Sequence, residues 1–215
     1  IQHCQHYEWQ GYRGDLVLAL CELYLMSGPH PSIPKMVDGV IGQVGLDARL
    51  KATLACKMSI YTRLTSQYET SLDWYNRGLS YLKQKDNAKI ECELELNVLR
   101  CYTDMGRYED AYEAYERALQ IAEFARSRRL VARTLIDYGY LLCQQSEMAA
   151  ATASLERASR ILVSIQDWPH LQRAMSTLGL VSIRSNNVIT AERFYRRALN
   201  LSNRMKLLGR EDLLW

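Results

Sequence analysis

The feature that most constrains this chain is a repeat. The segments ERALQIAEFAR (116–126), ERASRILVSIQ (156–166) and RRALNLSNRMK (196–206) follow one another at intervals of 40 residues. At that interval Ala118, Ala158 and Ala198 fall in one column, and Ala111, Ala151 and Ala191 in another. A large-residue column of Tyr115, Leu155 and Tyr195 lies between them, and one period earlier the three columns read Ser71, Tyr75 and Gly78. Small, large and small residues at steps of four and three share one stripe of an α-helix. A unit with one such stripe cannot bury it alone, so the recurrence calls for stacked units with a continuous core.

A second set of columns lies upstream, in the preceding helix. Met58, Val98, Tyr138 and Leu178 share one column, and Ser59, Leu99, Gly139 and Gly179 the next. Thr62, Tyr102, Leu142 and Ser182 follow three residues later. The small residues predict a close approach of the two helices of a unit. Between those helices stand TSQYET (65–70), DMGRYED (104–110), QSEMAA (145–150) and SNNVIT (185–190), with Gly106 and Asn186 as helix-stop residues. Only four prolines and eleven glycines occur, good helix formers abound, and no long alternating β-branched run is present.

The Ala-x3-aromatic-x2-Ala pattern, standing here as Ala111-Tyr115-Ala118 and Ala191-Tyr195-Ala198, resembles the signature of the tetratricopeptide family. Ala151-Leu155-Ala158 and Ser71-Tyr75-Gly78 are weaker forms of it. The resemblance implies an all-α fold, a right-handed α-α superhelix (a TPR-like solenoid) of about five helix-turn-helix units and ten helices. The units are expected at approximately 8–47, 48–87, 88–127, 128–167 and 168–207, with 208–215 starting a further one. The family's usual period is about 34 residues. The longer unit is similar to those of MalT-like regulators, LGN-type adaptors and subunits of large cell-cycle assemblies. The first unit departs from the pattern. Pro29, Pro31 and Pro34 cluster at the start of its second helix, expected over about 32–46, and Gly39, Gly42 and Gly45 weaken that helix. The start at Ile1 and the end at REDLLW (210–215) read as those of a fragment of a longer protein.

In such a stack the first helices line the inner, concave wall. Helical spacing directs Asn97, Arg100 and Asp104 of the third unit to that wall, Arg133, Asp137, Tyr140 and Gln144 of the fourth, and Arg173, Thr177 and Arg184 of the fifth. Arg and Tyr are favoured interface anchors, so the groove suits an extended or helical segment of acidic character. The resemblance thus implies a non-catalytic scaffold that holds a protein or peptide partner, as part of a larger protein or complex. The alternative is a ligand- or peptide-sensing domain of a MalT-like transcription regulator.

The remaining residues point to no chemistry. The net charge is +3, mildly basic and without the clustered stripe of a nucleic-acid-binding domain. RSRRLVAR (126–133) reads as a solvated helix edge rather than a phosphate site. His3-Cys4-x-His6 lacks a fourth ligand at metal-binding spacing, and His30 and His170, beside prolines, read as turn residues. Cys21, Cys56, Cys101 and Cys143 stand among apolar residues and read as small buried hydrophobes. An intracellular setting, cytoplasmic or nuclear, follows from that cysteine usage. There is no G-x-S-x-G, P-loop or H-E-x-x-H. No catalytic residue, cofactor or metal is expected, nor is a membrane span.

Overall fold

The computed structural model describes residues 2–82 and 87–211, and within them the side chains of 13–25, 28–82 and 87–205. The His3-Cys4-x-His6 cluster and residues 212–215 lie outside this description. Ten helices and no strand occur among the described residues: α1 (Gln2–Ser27), α2 (Ser32–Ile41), α3 (Ala48–Leu64), α4 (Tyr68–Tyr81), α5 (Ala88–Asp104), α6 (Tyr108–Phe124), α7 (Arg128–Gln144), α8 (Met148–Ser164), α9 (Trp168–Arg184) and α10 (Val188–Glu211). Helices α3, α5, α7 and α9 are each 17 residues long and begin at 48, 88, 128 and 168, so the 40-residue period of the sequence is also the period of the backbone. The odd-numbered helices are called A helices below and the even-numbered ones B helices.

The turns repeat as strictly as the helices. Ser66, Gly106, Ser146 and Asn186 take positive φ at the ends of the A helices, and Arg126 and Gln166 at the ends of α6 and α8. Each amide after Ser66, Arg126, Ser146, Gln166 and Asn186 reaches back five residues to a carbonyl, as in Gln67 to Thr62 and Glu147 to Leu142. These bonds satisfy carbonyls that a helix end leaves open. Three of the A helices start on side-chain caps: Asp47 accepts from the Leu50 amide, Ser127 from Leu130 and Asp167 from His170, whereas Asn87 at the start of α5 makes no such bond.

The chain divides into two compact units, residues 1–105 and 106–215. In the first, α1 packs on α2 and α3, and α5 on α3 and α4. Its core is built on Cys21, Ile33, Val37, Leu54, Met58 and Trp74, with a second cluster of Ala52, Cys56, Ile90 and Leu94. Helix α2 stops at Ile41, well short of 46, where Gly42 follows as its cap and Gly45 turns the chain at φ 90°. In the second unit α7 packs on α6, α8 and α9, and α9 on α8 and α10. Its core joins Leu135, Ile136, Leu155, Leu162 and Leu178.

The small-residue columns do what their spacing implies. Ala111, Ala118, Ala151 and Ala158 are fully buried. A Cβ on Gly139 would lie 2.6 Å from Leu155, and one on Gly179 2.7 Å from the Tyr195 ring, so both glycines admit the large residue of the partner helix. The large column itself is uneven. Leu155 is fully buried, whereas Tyr195 is 42% exposed and Tyr115 is half-buried, stacked at 3.9 Å on Tyr138. The tyrosines of the repeat columns, Tyr75, Tyr102, Tyr115 and Tyr195, are none of them fully buried, because a tyrosine ring needs a partner for its hydroxyl. Tyr75 meets that need by donating to Glu95 at 2.7 Å.

Candidate functional site

The A helices carry the polar side chains that could meet a partner, and within each compact unit neighbouring A helices are tied together through them. The position shared by Lys57, Asn97 and Asp137 is the centre of each tie. Lys57 of α3 pairs with Glu22 of α1 at 3.0 Å. Asn97 of α5 is buried and accepts from the Arg63 Nε of α3 at 2.9 Å, while its own amide donates to the Ser59 hydroxyl. Asp137 of α7 is buried and accepts from the Arg173 guanidinium of α9. A charge so buried is tolerated when it is paired and costs several kcal/mol when it is not. These contacts fix which faces of neighbouring A helices meet.

The second unit gathers the densest group. Arg129, Arg133 and Asp137 follow one another at four-residue steps along α7, so they share a face. On α9, His170 and Arg173 come up beside them. Asp167, capping α9, holds Arg129 Nε at 2.7 Å and His170 Nδ1 at 2.8 Å. Its burial would raise its pKa, but the His170 hydrogen bonds and charge, with the Arg129 guanidinium, outweigh that and leave it below the usual carboxylate value. His170 is pushed below its ordinary 6.5, first by burial and then by Arg133 and Arg173, against the pull of Asp167. The group is therefore net positive, with its two carboxylates buried and its guanidinium groups reaching the surface. Arg129 is 61% exposed and Arg173 30%.

The residues expected at the inner wall fall into distinct environments. In the first unit Asn97 is buried, Arg100 half-buried, and Asp104 half-buried against Arg63 at 3.1 Å. In the second, Arg133, Tyr140, Gln144, Arg173 and Thr177 are half-buried and Arg184 is exposed, while Asp137 is buried. Thr177 donates to the Arg173 carbonyl and Arg184 to the Cys143 carbonyl, both at 3.0 Å. Asn97 and Asp137 thus position guanidinium groups for their neighbours instead of facing outward.

Three further residues, one in the first unit and two in the second, carry no warning in a spacing argument. Arg63 reaches from the preceding A helix, 34 residues away from Asn97. Arg129 looks like a solvated edge and His170 like a turn residue until α9 folds against α7. Asp167 had a sequence signal: it continues the column Asp47, Asn87 and Ser127, all residues that favour helix starts. Of the RSRRLVAR segment, Arg128 donates to the Ser164 hydroxyl at 2.9 Å and Arg129 is ion-paired with Asp167, so both are committed within the fold. His30 stacks on Tyr24 at 4.3 Å and accepts from the Ser32 amide, a local role. Cys21, Cys56, Cys92, Cys101 and Cys143 are buried free thiols, and burial pushes Cys21 up to about 11, well away from thiolate chemistry. Among the described residues no group of three or more His, Cys, Asp or Glu side chains could hold a metal, and no helix is long and apolar enough to cross a membrane.

Residues 92–164 match the profile of the tetratricopeptide repeat family. No curated protein matches the sequence. Among solved structures the chain is similar to BtubC (BKLC) from P. vanneervenii, with a TM-score of 0.67 at 16% identity over 94% of this chain and 87% of that one. It is also similar to the apo form of RapI, with a TM-score of 0.66 at 19% identity over 94% of this chain and 72% of that one. Aspartyl phosphate phosphatase F from Bacillus subtilis gives a TM-score of 0.67 at 19% identity, over 93% of this chain and 51% of that one. At these identities the likeness is one of fold.

Proposed function

We propose that this chain, whose repeats are tetratricopeptide repeats, is a protein-interaction scaffold that takes an acidic segment of a partner on the A-helix face of its second unit. The observation that carries the reading is the net positive group on α7 and α9. The buried Asp137 and Asp167 hold Arg173 and Arg129 there, and Arg133 stands half-buried on the same face of α7. Guanidinium groups fixed in this way lose little further side-chain freedom on binding, and Arg is a frequent interface anchor. Tyr140 and Gln144, on the same helix, supply flanking contacts, with Thr177 and Arg184 on α9. Arg100 and Asp104 offer a corresponding face in the first unit. The repeat-family match supports protein binding as the class of function.

The test is affinity capture of partners from cells of the source organism with the wild-type chain and with Arg133→Glu. Charge reversal is made at Arg133 and not at Arg173, because the Arg173 guanidinium also bonds directly to the buried Asp137. We expect a saturable partner whose binding weakens by about tenfold or more in the variant, a difference of roughly 1.4 kcal/mol. A partner held equally by both proteins would place the contact elsewhere. The MalT-like alternative is decided by the flanking gene sequence, where a P-loop upstream and a helix-turn-helix downstream would favour it.

A further inference from the structure

A groove of about 580 Å³ opens between α8, α9 and α10, within the volume range of small-ligand sites. Its apolar lining is Val163 of α8, Leu171 and Met175 of α9 and Leu201 of α10. Arg160, Arg197 and Arg204 line it from both flanking helices, and among the described residues no carboxylate does. Ser159 and Asn200 supply the remaining polar groups. The groove is separate from the site proposed above. Arg173 lies two residues from both Leu171 and Met175, and at about 100° per residue that puts it on the opposite side of α9.

The repeat supplies its own control. One period earlier the positions of Arg160, Val163 and Arg204 are held by Gln120, Glu123 and Ser164, and those of Arg197 and Asn200 by Arg157 and Arg160. The equivalent place between α6, α7 and α8 therefore has a carboxylate where this one has Val163 and a neutral Gln120 where this one has Arg160, with two arginines on the later helix in both. The last groove has lost an acid and gained a base relative to the earlier one. Val163 is 53% exposed, so its apolar surface is left open to solvent.

We infer that this groove is a binding site for a small anionic amphiphile, a molecule with one apolar chain and a carboxylate or similar anionic head. The chain lies on Val163, Leu171 and Leu201, and the head meets the guanidinium groups of Arg197 and Arg204. The occupant is a dissolved molecule and not a bilayer, because Leu171 is recessed between three helices at 6% exposure, where a flat lipid surface does not reach. Trp168 borders a cavity of about 30 Å³ that shares Leu201 and Arg204 with the groove, so its fluorescence reports on occupancy.

The probe is dodecanoate, titrated below its micelle-forming concentration and followed by calorimetry and by tryptophan emission. Dodecyltrimethylammonium, with the same chain and a cationic head, is the first comparison. Vesicles containing an anionic phospholipid are the second. The double variant Val163→Glu with Arg204→Ser rebuilds the earlier repeat's groove at two exposed positions, and Arg197→Gln is a milder change. We expect dodecanoate to bind with one-to-one stoichiometry and at least about tenfold more tightly than the cationic amphiphile. The double variant should lose at least about tenfold in affinity at an unchanged melting temperature, and Arg197→Gln should lose less. Absence of saturable dodecanoate binding, equal binding of the two amphiphiles, full affinity in the double variant, or binding to vesicles alone would each overturn the proposal. Partner capture through Arg133 is unaffected by any of these results, so the two sites fail independently.

Discussion

At the scale of single residues the fold depends on a few positions where side-chain volume or charge has no slack. Gly139 is one. An added methyl group would lie 2.6 Å from Leu155, which is itself fully buried and cannot retreat. Gly139→Ala is expected to destabilise the chain by about 1–3 kcal/mol, as overpacking does, measured by denaturant unfolding. Ala at the earlier equivalent, Leu99, would act in the opposite sense and leave a cavity. His170 is the second such position. Its folded pKa lies below its ordinary 6.5 because burial, Arg133 and Arg173 all oppose a charge there. The unfolded chain therefore takes up the proton first, and stability present above about pH 6.5 is lost as the pH falls through that value toward the folded pKa. The melting temperature should drop more between about pH 7 and about pH 5 in wild type than in His170→Gln. Equal drops would remove His170 as the source.

Single elements are governed by their ends. Helices α3, α5, α7 and α9 all stop on a residue of positive φ at the 40-residue period, and α3, α7 and α9 start on side-chain caps. Ser127→Ala removes the acceptor for the Leu130 amide and should cost about 1 kcal/mol, the usual value of an N-cap. At the other end, Gln166 holds φ 55° with a side chain that disfavours it. Gln166→Gly should stabilise the chain by up to about 1 kcal/mol by relieving that conformation, read as a rise in the unfolding midpoint. If the midpoint falls instead, the flexibility glycine adds to the unfolded chain outweighs the relief. Among the B helices α2 runs for 10 residues against 17 in α6 and α8, none of the three having a side-chain cap hydrogen bond, and Gly42 follows its last residue as the C-cap.

At the scale of the molecule, the two compact units make separate cores, at residues 1–105 and 106–215. Leu155 sits in the centre of the second, fully buried against Gly139. Leu155→Ala should cost about 2–5 kcal/mol. In repeat architectures a local loss need not spread evenly, because each unit contacts its neighbours alone. Hydrogen exchange should accordingly rise more in α7, α8 and α9 than in α1 to α3. A uniform rise over the whole chain would mean that both cores unfold as one.

The sequence by itself determined the period, the helical class and the places of helix and turn. The alanine columns, Gly139, Gly179, Gly106 and Asn186 each state a local requirement of volume or backbone angle, and such requirements are carried by residue type and spacing. Residues meant for the candidate site were legible as members of a helix face, but their roles were not. Asn97 and Asp137 look like their outward neighbours in a helical projection, yet tertiary packing buries them and turns them into acceptors for Arg63 and Arg173. Arg129, Asp167 and His170 become one group only when the start of α9 lies beside α7. The groove under Arg160, Arg197 and Arg204 likewise exists only between packed helices. Charge pairing and concavity depend on distances between residues 30 to 45 positions apart in the chain, and a periodic pattern fixes the axis of each helix's apolar face without fixing which charged side chains will meet across it.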